Sequence, residues 1–372
     1  MALFQIIFFL HFLSAMSSCQ ETGHGYAEAP REAPKELNTP AMFVMGDSSV
    51  DCGENSLFYS VLHPKFSLVF CDGPEPSLLP HLIAEKMGLP NPKPFYGRYR
   101  SVDDALSGVN YGSVEATIMN HQGQAHQSLH QQLRQALETL QLLQLRFQQD
   151  KAQAFLRSSI FYLSFGKTDY IDIFLGNFAG VRARYSGRDL AQILVRQVGQ
   201  VVRTLREWGV RKVVCVGILP LGCAPRVVFE WQNSTARRDG NGCIAGVNGL
   251  VSEYNSMLEK LVEEINGDMQ GQVATFCDVY EGMTAVMADP IRYGFDDRRS
   301  ACCGLGLYGA RVGCLDADMA CNGSWSHVWW DMYNPTRALN MLLADSAWSG
   351  SGGSLHAICR PHAIRDLASD TL

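Results

Sequence analysis

The chain has 372 residues, 47% hydrophobic and 18% charged, with a formal net charge of −6. This is a globular composition, enough for one large α/β domain or two smaller ones. Basic residues are scattered and run no longer than pairs such as Arg237-Arg238, which argues against a phosphate-tracking surface and a nucleic-acid partner.

The N-terminus reads ALFQIIFFLHFLSAMSSC, an apolar run with the length of a signal-peptide core, followed by small residues. Residues 1–18 are expected to be a signal peptide, although the stretch before the apolar run holds no Lys or Arg. The alternative is a buried N-terminal helix. The Pro-containing polar stretch that follows favours a flexible leader over 19–40, entering a domain over 41–348, with 349–372 as a C-terminal tail. A secreted protein, extracellular or in the cell wall, is expected. No later segment reaches the roughly 18 apolar residues that a membrane span needs.

Compact apolar runs at 41–46 (AMFVMG), 159–166 (SIFYLSFG), 212–219 (KVVCVGIL) and 272–280 (QVATFCDVY) suit strands buried on both faces of a parallel sheet. Helical periodicity separates them. In the Gln-rich stretch 122–149, Leu129, Leu133, Leu137, Leu140, Leu143 and Phe147 recur every three or four residues, which marks a long surface helix. Residues 188–208 carry Leu190, Leu194, Val198, Val201, Val202 and Leu205 at the same spacing, and 244–265 behave similarly. The alternation predicts an α/β fold, a three-layer α/β/α sandwich around a central parallel sheet.

Of the twelve cysteines, eleven remain if Cys19 leaves with the leader, and Cys302, Cys303, Cys314, Cys321 and Cys359 gather near the C-terminus. In a secreted chain they are disulfide candidates, with one left over and the connectivity open. The spacings do not suit a metal, and neither a metal nor a cofactor is expected. Asn233 and Asn322 each open an Asn-x-Ser/Thr glycosylation sequon.

Functional groups on such sheets gather at the carboxyl ends of the strands. There stand GDSS after the first strand and GKTD (166–169) after the second, while DMYNPT (331–336) precedes the last helix. With LSGVNYGSVEATIM (106–119), YLSFGKTDYI (162–171), GVRKVVCVGILPLGCAPR (209–226), DPIRYGF (289–295) and ACCG (301–304), these blocks resemble, in order, the plant GDSL esterase/lipase family of the SGNH hydrolases. The resemblance implies a flavodoxin-like sandwich that acts on esters through a serine, a histidine oriented by an aspartate three residues earlier, and an oxyanion hole.

Carried over by position, Ser48 is the nucleophile and Asp331 the triad acid, but the histidine position is Asn334. An amide nitrogen is not basic, so Asn334 cannot take the serine proton and return it. The oxyanion asparagine position is Thr168, whose hydroxyl reaches less far than a carboxamide. The oxyanion glycine position is Val114, which resists positive φ, although Gly112 could compensate by a shift. Asp47 and Asp169 are expected to brace loops. His327 stands on the wrong side of Asp331 to be a substitute base, and Trp325, Trp329 and Trp330 could line the cleft or fill the core.

Two readings follow. In one, the chain is a monomer with weak or no hydrolase activity that binds a lipid, acyl ester or acetylated glycan. In the other it is an active esterase or acyltransferase that uses Ser48 with an unconventional base.

Overall fold

Strand β1 (Met42–Gly46) is buried along its whole length, as are β4 (Ile160–Ser164) and β5 (Lys212–Val216). A strand covered on both faces needs apolar residues at successive positions, and the runs read from the sequence supply them. These strands belong to a computed structural model that describes residues 37–55, 71, 77–96, 101–119, 127–268, 271, 273–349 and 354–369. The expected signal peptide and nearly all of the leader lie outside the described residues.

With β2 (Lys93–Pro94), β3 (Val109–Asn110), β6 (Val273–Cys277) and β9 (Cys359–Arg360), the strands form one sheet in the order β2-β3-β1-β4-β5-β6-β9. Every pairing is parallel except β6–β9. Helices α2 (Leu129–Arg146), α3 (Gln149–Ser158), α4 (Gly187–Glu207) and α5 (Ala245–Asp268) pack in one group. A second group comprises α1 (Leu79–Lys86), α6 (Val279–Ala288), α7 (Arg337–Ser349) and α8 (Ile364–Ala368). The result is the expected three-layer α/β/α sandwich.

Helix α2 accounts for the Gln- and Leu-rich stretch. Ser128 and Gln131 exchange hydrogen bonds at its start, a capping box that satisfies two otherwise orphaned N–H groups. Leu129, Leu140 and Leu143 are buried, and Leu133, Leu137 and Phe147 pack against the core. One glutamine has a second task. Gln132 is fully buried, and its carboxamide accepts from the Gly46 N–H and donates to the Gly46 carbonyl, both at 2.9 Å. It also donates to the Gln127 carbonyl at 3.1 Å, so the end of β1 is held from the helix layer.

The C-terminal stretch expected as a tail closes the sheet instead. Cys359 in β9 lies directly opposite Cys277 in β6 and is disulfide-bonded to it. Ile364, Leu367 and Ala368 of α8 are buried, and the Ala368 carbonyl accepts from Asn38 N–H and Thr39 Oγ1. A two-residue strand and a five-residue helix are too short for periodicity to reveal.

Four more disulfides join Cys52–Cys71, Cys223–Cys243, Cys302–Cys321 and Cys303–Cys314. Cys215 in β5 is the free cysteine among the described residues, and burial pushes its thiol up to about 12, which leaves it inert at neutral pH. Sulfurs do approach His327 and Asp239, but those cysteines are paired and offer no thiolate to a metal. The last two disulfides staple the excursion between β7 (Asp297–Ala301) and β8 (His327–Trp329). Among the described residues no helix is long and apolar enough to cross a membrane.

Candidate active site

The turn after β1 presents Ser48. Gly46, which ends the strand, has no room for a side chain, since a Cβ there would come within 2.4 Å of the Ser164 carbonyl of β4. The chain then turns, with the Asp47 N–H donating to Ser164 and the Val50 N–H to Asp47. The Asp47 carboxylate braces the turn by accepting from the Ser49 N–H and hydroxyl. Ser48 is left half-buried at the carboxyl edge of the sheet.

Ser48, Val114, Thr168, Asp331 and Asn334, brought from the ends of four strands, border one cavity of about 290 Å³. A second, mostly apolar pocket shares Ser48 and Asn334 and adds Leu79, Tyr162, Lys167, Leu219 and Met283. The nucleophile position thus stands between a wider, more polar cavity and a narrow apolar one. A bound ester could split its two halves between such spaces.

Asn334, where the resemblance implies a histidine, forms a clamp. The Asp331 carboxylate accepts from the Tyr333 and Asn334 N–H groups at 2.8 and 2.7 Å, which curls the segment into a tight turn. Its other oxygen accepts from Asn334 Nδ2 at 2.8 Å. The Asn334 Oδ1 accepts in turn from Lys167 Nζ at 2.5 Å. Both ends of the carboxamide are therefore engaged. Where a triad would run from aspartate through an imidazole to the serine, this chain runs from Asp331 through Asn334 to a lysine.

Lys167 sits next to Thr168 in GKTD, and sequence reasoning passed over it. It is only 2% exposed, held on the cleft floor by the strand-end geometry after β4. Burial pushes its amine below the ordinary lysine range, while the nearby carboxylates of Asp47 and Asp331 oppose that shift. A long charged side chain directly after a run buried on both faces was the available signal, because such a lysine has no easy route to solvent.

The N–H groups expected to form an oxyanion hole already have acceptors. The Val114 N–H donates to Asp51 Oδ2 at 3.1 Å. Its backbone does not take the positive φ feared for a valine; among the described residues only Asn177 and Tyr308 are non-glycines there. Gly112 does not compensate, since its N–H donates to Asn110 Oδ1 at 2.9 Å. The Thr168 N–H reaches Asp47 at 3.4 Å. The Ser48 N–H is the main-chain donor that the described residues leave uncommitted.

Other candidates fall outside the cleft. His327 is half-buried and contacts the Gly323 carbonyl at 3.1 Å through Nδ1. Trp329 and Trp330 are buried in the core and Trp325 is exposed; none borders either cavity. Asn233 and Asn322 are exposed. Asp169 accepts from the Ile118 and Met119 N–H groups, both at 2.9 Å, which ties the β3 loop to the β4 loop.

Burial pushes Asp51 and Asp169 up to about 7 against the N–H groups that favour their charged forms. A carboxyl raised in the folded state stabilises below its unfolded pKa and loses that contribution as pH climbs to the folded value. His81, pushed down to about 4 by burial, acts oppositely between about 4 and 6.5. Two carboxyls against one imidazole give a net loss of about 1 kcal/mol per pH unit over that range. Unfolding followed by circular dichroism should therefore show greater stability at pH 5 than at pH 7.5. The reverse order would mean that Asp51 and Asp169 are charged throughout.

The profile of the GDSL-like lipase/acylhydrolase family matches residues 42–347. GDSL esterase/lipase At1g71250 of Arabidopsis thaliana is 30% identical over 344 residues, which is 87% of this chain and 88% of the relative. GDSL esterase/lipase 7 of the same plant is also 30% identical, over 86% of this chain and 90% of its own. GDSL esterase/lipase At1g33811 is 27% identical over 93% and 95%. Ser48 after the first strand and Asp331 before the last long helix fall within the matched span, and the chain belongs to the GDSL-like lipase/acylhydrolase family.

Proposed function

We propose that this is a secreted family member whose cleft still takes a small ester or lipid but whose hydrolysis by the serine–histidine–aspartate route is strongly impaired. The observation that carries the reading is the state of Asn334. With Nδ2 given to Asp331 and Oδ1 taken by Lys167, its carboxamide can neither accept the Ser48 proton nor pass one to a leaving group. In a serine protease, loss of the histidine costs about 10⁶ in turnover, and a missing oxyanion donor costs about 10²–10³, though the two do not simply add. Retention of two cavities around Ser48 supports binding without efficient turnover. The apolar leader, five disulfides and exposed sequons support secretion and glycosylation.

The test uses the full chain expressed in plant cells and collected from the medium; retention in the cytosol with free thiols would overturn secretion. Turnover of p-nitrophenyl butyrate should lie at least about 10³ below that of a family member with an intact histidine. Octanoate methyl ester should nonetheless raise the melting temperature of the Ser48→Ala variant. Turnover matching the histidine-bearing relative would overturn the impairment, and no stabilisation by the ester would overturn the binding.

A further inference from the structure

The residue that holds Asn334 has chemistry the family pattern lacks. Lys167 and Ser48 border the same apolar pocket, and the lysine stem is packed out of solvent. Its amine has one partner fixed by geometry, Asn334 Oδ1, which is in turn fixed by Asp331 through Nδ2. We propose that Lys167 is the base for whatever acyl chemistry Ser48 retains, with Asn334 and Asp331 as positioning residues that aim its amine. The proposal rests on the reading of the cleft as an ester site and goes beyond it by assigning the proton acceptor.

Three features support the assignment. An amine that donates one N–H to Asn334 keeps its lone pair free when neutral, so a serine hydroxyl can donate to it while the clamp stays intact. Desolvation favours the neutral form at rest. Once the amine takes a proton, Asp47 and Asp331 are the charged groups that face the new ammonium, from the β1 turn and the β8 loop. Tyr162, buried on β4, borders the same pocket as the lysine. That is the electrical logic of a triad, in which a carboxylate stabilises the cation formed in the reaction.

The step balances without further reagents except water. The Ser48 proton passes to Lys167 Nζ while Oγ bonds to the acyl carbon, and the carbonyl π pair moves to oxygen. Collapse of the tetrahedral adduct breaks the bond to the alcohol oxygen, which takes the proton back from Lys167. A water molecule, deprotonated by Lys167, then attacks the acyl-serine, and the carboxylic acid leaves as Ser48 recovers its proton.

The experiment measures the rate at which a fluorophosphonate–rhodamine probe labels the full chain between pH 6 and pH 10.5. Ser48-dependent labelling should be slow, rise with pH through a single ionisation below the ordinary lysine range, and level off. Lys167→Arg keeps a cation and a donor for Asn334 but cannot act as a base at these pH values. It should lose about 10² in rate and the pH-dependent rise with it. Lys167→Ala should regain part of the rate on addition of methylamine. Wild-type rate in Lys167→Arg, a flat wild-type profile, or no Ser48 labelling at any pH would each overturn the proposal. If the variants fail to fold, the wild-type profile still decides. Binding of octanoate methyl ester to Ser48→Ala is read separately, so failure of the lysine and failure of the ester site are distinguishable.

Discussion

Asn334→His alone should raise turnover of p-nitrophenyl butyrate less than tenfold, whereas Asn334→His with Lys167→Ala and Thr168→Asn should raise it at least about 10³. An imidazole at 334 can donate to Asp331 as the asparagine does, but its second nitrogen then falls where Asn334 Oδ1 now meets Lys167. The lysine would donate to that nitrogen and occupy the lone pair needed by Ser48. The neutral lysine would also compete with the imidazole for the serine proton. Removing the lysine frees the base, and the asparagine at 168 restores a donor for the developing oxyanion. Val114→Gly should add little, because the N–H at that position is already given to Asp51. The gains should be cooperative, since base and oxyanion donors act on one transition state. Values of kcat/KM for each variant, with Ser48→Ala as control, measure this. Full recovery in Asn334→His alone would mean that Lys167 does not compete for the ring.

Gln132→Leu should cost about 2–3 kcal/mol in chemical unfolding and should also slow any labelling of Ser48. The substitution keeps the volume and removes three hydrogen bonds from a fully buried site. The Gly46 carbonyl keeps a partner in the Ser113 N–H, but the Gly46 N–H loses the acceptor that held it. An unmade buried hydrogen bond costs more than a made one contributes, so the loss should exceed that of an ordinary surface glutamine. Because Gly46 stands two residues before Ser48, the same slack reaches the nucleophile. Gln132→Glu distinguishes this from simple packing. It retains an acceptor for the Gly46 N–H but loses the donor to two carbonyls, and should recover stability as the carboxyl is protonated at low pH. An unfolding free energy for Gln132→Leu equal to wild type would show that the clasp is dispensable.

The two substitutions differ in how legible their targets were. The strands at 42–46, 160–164, 212–216 and 273–277 could be read because burial on both faces writes itself as uninterrupted apolar residues. The cleft positions Ser48, Val114, Thr168, Asp331 and Asn334 could be read because each stands in a block that resembles one of the family's. Gln132 and Lys167 were hidden for one reason. Each carries a polar head whose partner lies 86 or 167 residues away, and local pattern says nothing about contacts at that range. Gln132 was camouflaged further by glutamines around it, such as the exposed Gln141 in the same helix. The commitment of the Val114 N–H to Asp51, 63 residues earlier, was invisible on the same grounds.

The edge strand β9 has a consequence for the order in which the molecule can be made. Its partner β6 is complete by residue 277, yet Cys277 must wait for Cys359, and Asn38 and Thr39 at the start of the domain wait for Ala368. Residues 359–368 are synthesised after every other strand of the sheet, so these contacts form last. Until then β6 is an open border with unpaired amides and a bare thiol, the kind of surface on which nascent chains adhere to one another. Its fidelity of assembly therefore depends on residues 359–368, and a truncation before them that left every cleft residue intact would still release a protein with an unfinished edge.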